Sequence, residues 1–158
     1  GQNTSIKAIE KAKEIFKLSG SSIVTVKKEI DGFILNRLQG ALLNEAMRLY
    51  SEGYASSEDI DATIKDGLGL RWAFMGPFET IDLNAPGGIK DYMARYGAIF
   101  KEMAKTQTKI PDWSEDAGNK LDLERRKVLS KDDLEKRAKK RNFLLKQLRR
   151  LKIESDET

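Results

Sequence analysis

The stretch Asp31-Gly32-Phe33-Ile34-Leu35-Asn36-Arg37-Leu38-Gln39-Gly40-Ala41-Leu42-Leu43-Asn44-Glu45-Ala46-Met47-Arg48-Leu49-Tyr50 decides the fold. Its apolar residues recur on nearly every side of a helix wheel. A helix that is apolar almost all round is a central, buried one. The pattern therefore predicts a long buried helix from about Gly32 to Glu52, ended by Gly53. Asn36, Gly40 and Asn44 recur every four residues and mark a narrow polar and small stripe along that rod.

Upstream, Asn3 or Thr4 can cap a first helix with Ile6, Ile9, Ile15 and Phe16 on one face. It runs to about Leu18, where Ser19-Gly20 stops it. Ser22-Ile23-Val24-Thr25-Val26-Lys27 is β-branched and short and reads as a strand. A lone strand makes no sheet, so it calls for a neighbour. Downstream, Ser56 or Ser57 caps a helix that Gly67 terminates. A loop follows, and Pro77 opens a short helix to about Leu83. After the turn at Ala85-Pro86-Gly87-Gly88, Ile89 to about Lys105 is helical, with Tyr92, Met93, Tyr96, Ile99, Phe100 and Met103 inside. A helix from about Asp116 to Val128 follows, and Ser130 caps a last one to about Lys152. The expected class is all-α.

Composition narrows the chemistry. The 158 residues contain neither histidine nor cysteine. Disulfides, thiolate chemistry and the Ser–His–Asp and Cys–His arrangements are excluded, and no metal site is expected. No apolar run approaches the ~20 residues that span a bilayer, and a cytoplasmic location is expected. Between Lys131 and Lys152, ten Lys or Arg face three Asp or Glu, a balance of +7. With +4 on the whole chain, the remainder carries −3. The basic character thus belongs to the last helix. Its Phe143, Leu144, Leu148 and Leu151 form an amphipathic stripe, which reads as docking on protein rather than gripping nucleic acid.

Three local features invite chemistry. Gly67 and Gly69 suggest a phosphate loop, but a dinucleotide fingerprint needs a preceding strand and a third glycine. Here a helix precedes, and Trp72 holds the third position. The pair reads instead as a helix cap followed by a tight turn. Arg71 lies among Leu70, Trp72, Ala73 and Phe74, which places it in partly buried surroundings, where a guanidinium wants an anion. That anion is either a protein carboxylate, Glu79 or Asp82, or a ligand; the local sequence favours the ion pair. Asn36 is either a buried amide bonded to backbone, the plainer reading, or a polar contact for a substrate hydroxyl or carbonyl.

Val26-Lys27-Lys28-Glu29-Ile30-Asp31-Gly32-Phe33-Ile34-Leu35-Asn36-Arg37-Leu38 resembles the strand-to-helix junction that opens the C-terminal domain of 3-hydroxyacyl-CoA dehydrogenases. Asn44 to Leu49, Glu52-Gly53, Ser57 to Asp61 and Gly76-Pro77-Phe78-Glu79 continue the resemblance in register. It covers residues 1 to about 105 and the basic tail, and is weakest from Thr106 to Ser130.

The resemblance implies a multi-helical C-terminal domain of the 6-phosphogluconate/3-hydroxyacyl-CoA dehydrogenase type, with one short N-terminal strand left over from a Rossmann sheet. Residues 1–30 would be the linking helix and strand, 31–152 the helical substrate and dimerisation domain, and 153–158 a disordered tail. The NAD cofactor and the catalytic His–Glu pair would belong to an N-terminal Rossmann domain outside these residues, and the chain alone would be inactive. Asn36 would be the catalytic amide that bonds the reacting 3-hydroxyl or 3-keto group. Arg71 would bind the substrate carboxylate of a sugar acid. The implied substrate is L-gulonate or a 3-hydroxyacyl-CoA. The implied partners are a second copy and the Rossmann domain, with neither nucleic acid nor membrane. The alternative is a free-standing helical interaction module without catalysis.

Overall fold

The structure, a computed structural model, describes residues 3–156. The described elements are helices: α1 (Ile6–Leu18), α2 (Phe33–Ser51), α3 (Ser57–Ala62), a π-helical turn (Thr63–Leu68), α4 (Gly69–Trp72), α5 (Pro77–Leu83), α6 (Gly88–Thr106), α7 (Glu115–Val128) and α8 (Leu134–Asp156). The chain divides into two units, Gly1–Ala41 and Leu42–Thr158, with the boundary inside α2.

In the first unit, Ser5 rather than Asn3 or Thr4 caps α1, its hydroxyl accepting from the Ala8 N–H at 3.2 Å. The expected strand does not form, and Ser22–Lys27 carries no regular structure. A strand exists through its ladder partner, and among the described residues there is no second strand to supply one. The chain enters α2 through two left-handed residues, Gly32 at φ 79° and Phe33 at φ 49°. Glycine takes that conformation freely. At Phe33 the side chain makes it a strained one, costing of order 1–3 kcal/mol.

In the second unit, α3 packs against α7, and α5 packs against α6. Ser56 caps α3 by accepting from the Asp59 N–H. Ser57, buried, gives both its N–H and its hydroxyl to one Glu124 oxygen of α7, each at 2.7 Å. Arg125 reaches Asp61 at 3.2 Å. Trp113 donates its indole N–H to Asn44 of α2 at 3.1 Å, so part of the polar stripe is structural. The segment with the weakest resemblance is therefore the one that ties α2, α3 and α7 together.

Three expectations need correction. Gly67 does not end a helix: the path continues through the π-turn into α4, and the supposed loop begins only after Trp72. The last helix extends past Lys152 to Asp156, so the first four residues of the expected disordered tail are helical, while residues 157 and 158 lie outside the described part. Most important, α2 is no buried rod. Leu35 is 75% exposed and Leu38 61%, and only Met47 on this helix is buried. Likewise Met93, Ile99, Phe100 and Met103 of α6 are exposed rather than inside. The periodicity is real, but these residues alone do not cover it. On α8, Phe143, Leu144 and Leu151 are exposed as well, and the basic residues Lys136 and Lys140 fall within their apolar arc.

Candidate functional site

Asn36 sits one turn into α2, in the first unit, just after the left-handed pair Gly32-Phe33. Its amide is exposed and has no hydrogen-bond partner among the described residues. The plainer reading, a buried amide spent on backbone, does not hold.

Arg71 lies on α4 in the second unit. Its carbonyl accepts from the N–H groups of Phe74 and Met75, each at 3.0 Å, which closes the C-terminal end of α4. Its side chain is exposed, not partly buried, and pairs with no carboxylate among the described residues. The two candidate partners are otherwise placed. Asp82 accepts from the Ile89 N–H at 2.6 Å and caps α6, and Glu79 lies in the first turn of α5, where the positive helix end favours it. Leu70, Trp72 and Phe74 beside Arg71 are 64%, 39% and 51% exposed. The result is an unpaired guanidinium amid uncovered apolar and aromatic surface.

Other charges of the second unit are committed to structure. Arg48 holds Glu45 at 2.6 Å and Glu52 at 3.0 Å and lies over the Tyr54 ring. The Arg48 fork keeps the Glu45 carboxyl below its ordinary range. Glu124 is likewise held low, first by the Ser57 hydroxyl and then by the Ser57 N–H. Reading the sequence did not find the Ser57–Glu124 contact, because its partners are 67 residues apart and neither belongs to a motif.

Gly67 and Gly69 do not form a dinucleotide-binding loop. Gly67 lies in the π-turn and Gly69 opens α4, with a helix rather than a strand before them. A cavity of about 350 Å³ opens between α2, α3 and α7, lined by Leu43, Met47, Ile60 and Trp113 with Asp61 and Arg125 beside it. Its two charges are already paired to each other. No described helix is long and apolar enough to cross a membrane.

The profile of the family described as 3-hydroxyacyl-CoA dehydrogenase, C-terminal domain, matches residues 32–130. The chain belongs to this family. The match includes Asn36, the π-turn, Arg71 and the α7 segment whose resemblance was weakest. Among similar proteins, lambda-crystallin of Oryctolagus cuniculus is 40% identical over 151 residues, covering 94% of this chain and 47% of that protein. The lambda-crystallin homolog of Rattus norvegicus is 49% identical over 98 residues, covering 62% of this chain and 30% of its own. L-carnitine dehydrogenase of Streptomyces coelicolor is 39% identical over 102 residues, covering 64% and 32% respectively. This family member thus spans half or less of the relatives it matches.

Proposed function

We propose that the chain is the substrate-binding and dimerisation part of an NAD-dependent 3-hydroxy acid dehydrogenase. Arg71 carries the reading: a guanidinium with no carboxylate of its own, on exposed apolar surface. A planar fork of this kind matches a carboxylate with two parallel hydrogen bonds. The named substrate of one relative, L-carnitine, is a 3-hydroxy acid with a free carboxylate, and L-gulonate has the same arrangement. An acyl-CoA thioester has no carboxylate at that place, so the unpaired Arg71 favours the free acid.

Such a substrate offers two polar groups for recognition, its carboxylate and its reacting oxygen. Arg71 binds the first. Asn36 is proposed separately, within the first unit, as the amide for the reacting oxygen, since it donates to a carbonyl oxygen and accepts from a hydroxyl. Positioning of this sort lowers the barrier by fixing the reacting carbon before reaction. NAD would accept the hydride from C3. NAD and the proton-accepting base would both lie on polypeptide outside these residues, which contain no histidine.

Exposed surface supports the assembly. The chain exposes 13604 Å². Two separate compact bodies the size of its two units would together expose only about 9,400 Å². The excess of about 4,000 Å² exceeds the ~1,000–2,500 Å² that each partner gives up in an obligate homodimer. A second copy and a further domain together account for it.

The test uses NAD and L-gulonate. The expected result is NADH formation by the longer protein that carries this sequence and none by these 158 residues alone. Sustained turnover by the 158-residue chain would overturn the reading, because the chain has no histidine to act as base.

A further inference from the structure

We propose that the π-turn Thr63–Leu68 is the aiming device of the carboxylate site, and that Gly69 is its positioning residue. This rests on the reading of Arg71 given above.

The reference frame is α3. Its first residue is fixed to α7 by the two 2.7 Å bonds from Ser57 to Glu124, and its C-terminal end by the Asp61–Arg125 pair. From that anchored helix the path runs through the π-turn to Arg71 on α4. A π-turn takes up about one residue more than α-helix over the same span, and each residue advances an α-helix by about 100°. The turn therefore decides on which side of the helix Arg71 emerges. Were it regular α-helix of the same length, Arg71 would be rotated by about that angle away from its present direction.

One residue holds the π geometry open. The Gly69 N–H donates to the Ile64 carbonyl, five residues back. A Cβ at Gly69 would stand 2.8 Å from that same oxygen, and the obstacle is backbone that no rotamer change can remove. The φ of Gly69 is −62°, which any residue adopts. Glycine is thus required at 69 by contact and not by conformation. Gly67 supplies the internal contrast, since nothing lies within 4 Å of a Cβ there. Lys65, in the middle of the turn, has a side chain 73% exposed that pairs, among the described residues, with the adjacent Asp66. It can be deleted with little loss of packing.

The experiment measures kcat and KM for L-gulonate in the full-length protein for G67A, G69A, R71Q, the G69A/R71Q double variant, and G69A combined with deletion of Lys65. G69A is expected to raise KM at least about tenfold, the scale of losing a charge-assisted hydrogen bond, with kcat moved less. G67A should match the parent. G69A should add little in the R71Q background, because it acts through Arg71. Deleting Lys65 removes the extra residue, lets the path run as α-helix to the same azimuth, and should restore KM in the G69A chain. This rescue also keeps the proposal testable should G69A alone fail to fold. If R71Q raises KM while G69A does not, or if the deletion fails to rescue, the aiming role is wrong. If R71Q itself leaves KM unchanged, the carboxylate reading has failed first.

Discussion

Truncating Met47 to alanine tests where the core lies. Met47 is 8% exposed, and it lines two cavities, one of about 350 Å³ between α2, α3 and α7 and one of about 370 Å³ between α2 and α7. Burying a methionine side chain contributes about 1.5–3 kcal/mol. Methionine-to-alanine changes in sealed cores cost about 2–5 kcal/mol, the excess coming from the void left behind. Here the removed atoms merge with space already present, so the void adds little and the low end applies, about 2 kcal/mol. For a chain of this length that lowers Tm by about 4–8 °C. Leu35→Ala is the control: Leu35 is 75% exposed. In the monomeric chain its truncation should stay within about 0.5 kcal/mol. Thermal and urea unfolding followed by far-UV circular dichroism measures both. A drop below about 1 °C for Met47→Ala, or an equal loss for Leu35→Ala in the monomer, would refute the placement of the core.

Two further outcomes follow from the charge network. Glu124 is held below its ordinary value of 4.5, chiefly by Ser57, so its stabilisation is complete above that value and is lost as pH falls below it. The Tm gap between parent and Glu124→Gln should be widest at neutral pH and close in acid; a gap that widens in acid would contradict the Ser57 contact. Arg48→Lys keeps the charge but cannot hold Glu45 and Glu52 at once with a planar fork. It should lower Tm in low salt, with hydrogen exchange quickening in the last turns of α2, and an unchanged Tm would show the fork to be dispensable.

What the sequence revealed depended on how local the cause is. Pro77 at the first turn of α5 and Ser114 ahead of α7 act within a few residues, and those boundaries emerged as expected or nearly so. The strand at 22–27 did not form, because strand formation needs a partner that local pattern does not contain. The π-turn was hidden because it brings the Ile64 carbonyl so close to Gly69 that a Cβ there would stand 2.8 Å away, a local contact that no propensity encodes. Periodicity correctly found the apolar faces of α2 and α6 but assigned their burial to this chain. Leu38 and Met93 are 61% and 63% exposed, so the pattern marks apolar surface that the described residues leave uncovered. Residue type pointed to Asn36 and, separately, to Arg71, while the freedom of the Arg71 side chain could only be seen once Asp82 was found capping α6.

The central claim is that Arg71 recognises a free carboxylate. It is tested most directly by comparing Arg71→Gln with the parent full-length protein on L-gulonate and on a 3-hydroxyacyl-CoA. The account predicts a loss of roughly 10- to 100-fold in kcat/KM for the free acid, equivalent to about 1.5–3 kcal/mol, with the thioester little affected. Equal losses on both substrates, or none on the acid, would contradict it.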